Sequence, residues 1–165
     1  MSITDDAHIV VSQSENFLTS SLGIGIATTR LAIPAILRSP NETLQAQQWR
    51  SIYNQGIYFG PPLALLSCAN FIYLAYSASS RGDTNAWRGF ATAAAMGIAV
   101  IPFTAATLLG INGQLVKASE RQEGEGDGLD EGSVRNLLER WAWINGLRSL
   151  APLTAGVVGL WTALK

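Results

Sequence analysis

A chain of 165 residues can bury a sizeable core, and 48% of this one is hydrophobic while only 14% is charged, against roughly 25% in soluble domains. Its net charge is -1 and its 11 basic residues are scattered, so the clustered basic footprint of a nucleic-acid-binding protein is missing. Cys68 is the only cysteine, which excludes an intrachain disulfide, a CxxC redox pair and a cysteine zinc site.

The chain opens on "MSITDDAHIVVSQSEN", with Asp5, Asp6 and Glu15 and no Lys or Arg. That is the wrong charge for the n-region of a cleaved secretory signal, and the segment is expected to be retained. A first apolar stretch follows at about 17–37, and three more lie at about 60–78, 91–111 and 141–164. Each is close to the roughly 20 residues that cross a hydrocarbon core of about 30 Å. The competing reading is a soluble four-helix bundle, but its helices would carry a charged face and these do not.

Between the first two stretches, "SPNETLQAQQWRSIYNQGIYFGPP" predicts a polar amphipathic helix that begins near Asn41 and ends before Pro61. Trp49, Tyr53, Gly56 and Gly60 recur on one side of it at helical spacing, a pattern suited to the membrane interface. The connection at about 117–132, "KASERQEGEGDGLDEG", is acidic and glycine-rich and predicts a mobile loop. Ser133 then reads as the cap of a last helix that runs unbroken from Val134 to Leu164. The predicted fold is all-α: an integral membrane, multi-pass four-helix bundle in one domain, with an additional interfacial helix between spans 1 and 2. Arg38, Arg50, Lys117, Arg121, Arg135 and Arg140 share one side of it, against Arg81, Arg88 and Lys165 on the other. The positive-inside rule then places the first and third connections in the cytosol and both termini opposite.

Arg30 and Arg148 fall inside spans that contain no acidic residue. An Arg near the centre of a spanning helix costs about 2.5 to 3.5 kcal/mol on insertion scales, so each requires compensation. Snorkelling to the interface is one answer, with carbonyl contacts on the way. For Arg148 the neighbours give another, because Trp141, Asn145 and Arg148 lie at i, i+4 and i+7 and form one helix stripe. Thr104, Thr107 and Asn112 share a face after Pro102, although threonines of this kind often bond their own helix carbonyls. Pro34, Pro102 and Pro152 each interrupt a span, and irregular backbone at membrane depth is tolerated only against protein or water. His8 is the only histidine and lies outside the spans. A histidine-ligated haem, a His/carboxylate metal site and a Ser-His-Asp triad therefore cannot form from this chain alone. The remaining chemistry is a pocket for an anionic or phenolic small molecule, with aromatic walls from Trp49, Tyr53, Trp141 or Trp143.

Three blocks, "QWRSIYNQGIYFGPPLALLSCANFIYLAY", "IPFTAATLLGINGQL" and "VRNLLERWAWINGLRSLAPLTAGVVGLW", resemble the anthrone oxygenase family of small four-span membrane proteins, also described as a domain of unknown function. The resemblance rests on Trp49, Tyr53, Gly56 and Pro62, then Pro102, Phe103, Thr104, Asn112 and Leu115, then Trp141, Asn145 and Arg148. It implies oxidation of an anthrone-type aromatic polyketide to an anthraquinone with molecular oxygen, without a cofactor or metal, in secondary metabolite biosynthesis. Within that implication Arg148, Asn145 and Asn112 are the expected catalytic residues, and Trp49, Tyr53, Thr104, Trp141 and Arg30 the expected substrate-binding ones. Glu139 and ordered water or hydroxide are the candidate proton acceptors. Other oxidation or proton-transfer chemistry on an aromatic polyketide remains open, as does a non-catalytic membrane scaffold for biosynthetic enzymes. Expected partners are the bilayer, the polyketide, oxygen and polyketide biosynthetic enzymes.

Overall fold

A computed structural model of the chain describes residues 12, 23, 25–121 and 133–165. Among these residues every regular element is helical. Helix α1 spans Gly25–Ile36, α2 Glu42–Ser80, α3 Thr84–Thr107, α4 Leu109–Ser119, α5 Ser133–Arg148 and α6 Leu150–Ala163. The Asn41 side chain caps α2 by accepting the Leu44 N–H at 3.2 Å, and Asp83 caps α3 by accepting the Ala86 N–H at 3.0 Å. Residues 81–83 turn the chain back at Gly82, where φ is +75°, a conformation glycine adopts without steric cost.

The first difference from expectation lies in α2. Its 39 residues run to about 58 Å at 1.5 Å each, close to twice a hydrocarbon core of about 30 Å. The polar segment predicted to end before Pro61 therefore continues straight into the apolar one. Pro61 and Pro62 lack the N–H groups that would bond Ile57 O and Tyr58 O, yet proline's fixed φ is helical. The helix is not broken there because each half is anchored by packing, at Trp49 on one side and Phe71 on the other. At the polar end, Arg50 donates to Val116 O, Ser119 Oγ and Glu120 Oε1 at 3.4, 3.2 and 3.1 Å.

The predicted last helix is also interrupted. Pro152 offers no N–H to Arg148 O, so α5 closes at Arg148, with Ser149 N–H shared between Asn145 O and Gly146 O at 3.1 Å each. The chain re-enters a helix at Leu150. The predicted third span, 91–111, likewise divides at Leu108 into α3 and α4. The acidic loop begins later than expected, since 117–119 form the last turn of α4, and 122–132 lie outside the described residues, as does most of 17–24.

Two cores hold the helices. One gathers Ile33, Trp49, Leu115, Leu138 and Trp141 from α1, α2, α4 and α5. The other gathers Phe71, Leu74 and Ala78 of α2 with Phe90, Ala93 and Ala94 of α3, backed by Val158 and Ala163 of α6. Between them the interior thins: α2 buries no described residue from Trp49 to Ser67, and α3 none after Ala94. Gly97 faces Cys68 and Asn112 faces Tyr53, and this antiparallel register sets Pro102 level with Pro61 and Pro62. The prolines therefore mark the layer where the two cores part.

Two helices, α2 and α3, are long and apolar enough to cross a membrane. Large apolar side chains, among them Tyr58, Leu65, Ile101, Leu147, Val157 and Trp161, stand exposed.

Gly159 packs closely in the second core, since a Cβ there would lie 2.5 Å from Phe71 Cε1, whereas one at Gly110 would meet nothing within 4 Å. Gly159→Ala is expected to destabilise the protein by about 1 to 3 kcal/mol through overpacking. Gly110→Ala should not, and thermal unfolding of both variants in detergent checks the contrast.

Candidate functional site

The stripe predicted on the last helix is present. Val134, Leu137, Leu138, Trp141 and Asn145 are the buried face of α5, and Arg148 continues it by one turn. The partners of this stripe divide into two groups.

The first is an aromatic cluster with a polar centre. Trp141 donates from Nε1 to Asn112 Oδ1 at 2.9 Å, and Asn112 Nδ2 donates to the Tyr53 hydroxyl at 3.5 Å. Trp49 stacks on Tyr53 with centroids 4.7 Å apart and meets Trp141 edge-on at 5.8 Å. Trp49 and Trp141 are 0% and 5% exposed, so their rings face one another and the core. Asn112, itself buried, has its amide engaged on both sides by protein. Trp49 Nε1 and Gln45 Oε1, one turn apart on α2, are buried with no hydrogen-bond partner among the described residues. Trp143, named with these rings as an aromatic wall, points outward at 74% exposure.

The second group surrounds Arg148. A cavity of about 200 Å³ is lined by Ala99, Val100 and Phe103 of α3, Leu147 and Arg148 of α5, and Ala151 of α6. These positions bracket Pro102 and precede Pro152, in the thin layer between the cores. Among the described lining residues Arg148 is the only one with a polar side chain. Its NH2 donates to Asn145 Oδ1 at 2.9 Å, and Asn145 Nδ2 donates to Thr29 Oγ1 of α1 at 3.2 Å. Asn145 is 3% exposed, so its amide is held between two protein partners and out of solvent.

Other predicted residues lie elsewhere. Thr104 and Thr107 donate to Val100 O and Phe103 O at 2.7 Å each, within their own helix. Arg30 is exposed and has no hydrogen bond or ion pair among the described residues. Glu139 is half-exposed and paired with Arg135 at 3.2 Å, and its Cα stands nine residues, about 13 Å, along the helix from that of Arg148. Among the described residues no three His, Cys, Asp or Glu side chains come together as a metal site.

Sequence reasoning passed over Thr29 and the apolar wall. Phe103 stood in the quoted Pro-Phe-Thr run but carried no role. Thr29 had a signal, because a buried amide that accepts from an arginine needs its own acceptor.

A guanidinium at the edge of an apolar cavity can donate to an oxygen acceptor or anion on an otherwise apolar molecule. Residues 49–158, which include both groups of side chains except Thr29, match the family model described as anthrone oxygenase. The chain is similar to Monooxygenase hypC of Dothistroma septosporum, 34% identical over 138 residues, covering 82% of this chain and 72% of the relative. It is 31% identical over 155 residues to Anthrone oxygenase encC of Aspergillus fumigatus, covering 84% and 83%. To Anthrone oxygenase AgnL2 of Paecilomyces divaricatus it is 29% identical over 159 residues, covering 94% of each. No solved structure matches. The chain belongs to the anthrone oxygenase family and is an oxygenase.

The buried Trp141 to Asn112 bond makes a direct prediction. Trp141→Phe leaves Asn112 Oδ1 buried without its donor and should cost about 1 to 3 kcal/mol. Combined with Asn112→Leu, which removes the acceptor too, the loss should be well below the sum of the single losses. A double-mutant cycle of thermal stability in detergent reads this, and strict additivity would show the bond to be idle.

Proposed function

We propose that this chain oxidises an anthrone-type aromatic polyketide to the anthraquinone with molecular oxygen, at the Arg148 cavity and without a cofactor of its own. The observation that carries the reading is Arg148 itself, the one polar side chain among the described residues that line an apolar cavity, held there by Asn145. Family membership and the relatives named as anthrone oxygenases support the substrate class.

An anthrone carries a CH2 group between two aromatic rings, opposite a ketone. Loss of one of its protons to water gives an enolate whose negative charge resides largely on oxygen. Arg148 binds that oxygen, and a charge acts most strongly in a low-dielectric site where its orientation is already fixed. The electron-rich enolate passes one electron to oxygen, giving a carbon-centred radical and superoxide. Their recombination forms the C–O bond of a peroxide anion, which takes up a proton. Loss of the remaining C–H proton with cleavage of the O–O bond then gives the second carbonyl and expels hydroxide, which becomes water. One oxygen atom enters the product and the other leaves as water.

Phe103 supplies a flat apolar wall for the ring system, and Ala99, one turn away on α3, and Ala151 of α6 add only small side chains to the lining. The cavity is smaller than the roughly 300 to 1,000 Å³ of pockets that enclose drug-sized ligands. It therefore takes the reacting edge of a tricycle and leaves the rest against exposed apolar side chains such as Leu147. The Trp49, Tyr53, Asn112 and Trp141 cluster supports this site from two turns away by fixing how α5 is rotated, and Asn145 orients the guanidinium.

The exposed apolar side chains also support a multi-pass membrane protein with four spans. These are the second half of α2, α3, α5 with α6, and the apolar stretch that the sequence places at about 17–37. The first half of α2 lies beyond the hydrocarbon at the interface. Alkaline carbonate extraction should leave the chain in the membrane pellet, and its release into the soluble fraction would defeat this arrangement.

The catalytic test is anthrone-dependent oxygen consumption at matched protein levels. Arg148→Met should insert normally and lose about a hundredfold in turnover, the effect of removing roughly 3 kcal/mol of transition-state stabilisation. Arg148→Lys should recover part of it, since an ammonium lacks the planar fork, and Arg30→Met should stay near wild type. Wild-type turnover should persist with a metal chelator present. Near-normal turnover of Arg148→Met would remove the centre of the site.

A further inference from the structure

We propose that Thr29 is a positioning residue for Arg148, acting through Asn145; the consequence for turnover rests on the role given to Arg148 above, whereas the tether itself does not.

The argument begins with what each group can do. A guanidinium only donates hydrogen bonds, so Arg148 fixes the Asn145 amide with its oxygen toward NH2 and its nitrogen turned away. That nitrogen is a donor in a residue 3% exposed, and a buried donor without an acceptor loses stability. Thr29 Oγ1 is the acceptor it meets, at 3.2 Å. The flipped amide would set Nδ2 against the guanidinium, donor against donor. Arg148 thus selects the amide orientation, and the Thr29 hydroxyl, accepting from Nδ2, anchors the amide in it and so holds Arg148 at the cavity.

The local backbone serves this contact. Thr28–Ala32 form a π-helical turn in which the Ile33 N–H bonds Thr28 O, five residues back, and single π turns are frequent at functional sites. The wider turn carries Thr29 on the side of α1 that faces α5 and leaves Arg30, the next residue, exposed. Gly146 lies beside Thr29, where a Cβ would meet the Cγ2 at 3.4 Å, in ordinary van der Waals contact. In sequence the contact joins residues 116 apart, so the first span completes a site whose other members lie in the last two.

The test uses the full chain in detergent or lipid nanodiscs, with Thr29→Val, which keeps the shape and removes the hydroxyl, Thr29→Ala as a second deletion, and Thr29→Ser, which keeps the hydroxyl. The first readout is the rate at which phenylglyoxal, an arginine-selective dicarbonyl, modifies Arg148, followed by peptide mass spectrometry with Arg30 as internal reference. Release of the guanidinium should speed Arg148 labelling by about tenfold in the Val and Ala variants, the scale of one neutral hydrogen bond, and leave Arg30 unchanged. The Ser variant should label like wild type. In the oxygen-uptake assay the Val variant should lose about tenfold in kcat, with KM little changed and Ser restoring the rate. Unchanged Arg148 labelling in both deletions, or a Ser variant that behaves like Val, would overturn the proposal. Wild-type protein inactive on every anthrone would overturn the proposed function instead, while the labelling arm would still decide the tether.

Discussion

The guanidinium of Arg148 is the constraint around which the rest of the structure is arranged. Its charge sits against Ala99, Val100, Phe103, Leu147 and Ala151, and a charge taken from water into such surroundings carries a penalty of several kcal/mol unless hydrogen bonds replace the lost hydration. Among the described residues no carboxylate meets it. The replacement is neutral: Asn145 Oδ1 accepts from it, and Thr29 accepts from Asn145 in turn. A neutral partner leaves the positive charge unspent, which a carboxylate would not, and the site keeps its capacity to attract a negative oxygen.

That requirement explains why the interior comes apart at one level. Close packing throughout would close the space beside Arg148, whereas a wide gap would cost the cohesion of the bundle. The chain resolves this with two separate cores, one at the polar end around Trp49 and Leu138 and one at the far end around Phe71 and Phe90. Prolines in α2, α3 and α6 lie near the layer between them, where the helices carry few buried side chains. A helix that lacks a hydrogen bond at such a point bends or ends, and α5 ends at Arg148.

The aromatic cluster supplies the rigidity that the cavity lacks. Trp141 is two helical turns from Arg148 on the same stripe, and its indole is fixed by the Asn112 amide and by the edge of Trp49. Rotation of α5 would break that buried bond and leave both of its partners unsatisfied, so the direction in which Arg148 points is set two turns away. Asn112 thus contributes as a hub between α2, α4 and α5, with its amide turned into the protein and away from the cavity.

The sequence by itself determined the helical class, the approximate apolar stretches, the helix start near Asn41 and the family, because these rest on composition, local spacing and short motifs. It also determined the stripe of Trp141, Asn145 and Arg148, since helical periodicity alone puts them on one face. Whether that face met substrate or protein was beyond it. Helices that are apolar all round carry no mark of which side turns inward, so rotation and register come only from packing against neighbours. Tertiary structure therefore decided that Trp49, Tyr53 and Asn112 close on one another, that Thr104 bonds its own helix and that Arg30 faces outward. It also decided that α2 continues through Pro61 and Pro62, because anchors on both sides of the pair outweigh the two missing hydrogen bonds. Thr29 reaches Asn145, and Phe103 the cavity beside Arg148, for the same reason: packed helices bring together residues remote in the chain, and only their mutual depth and rotation say which ones meet.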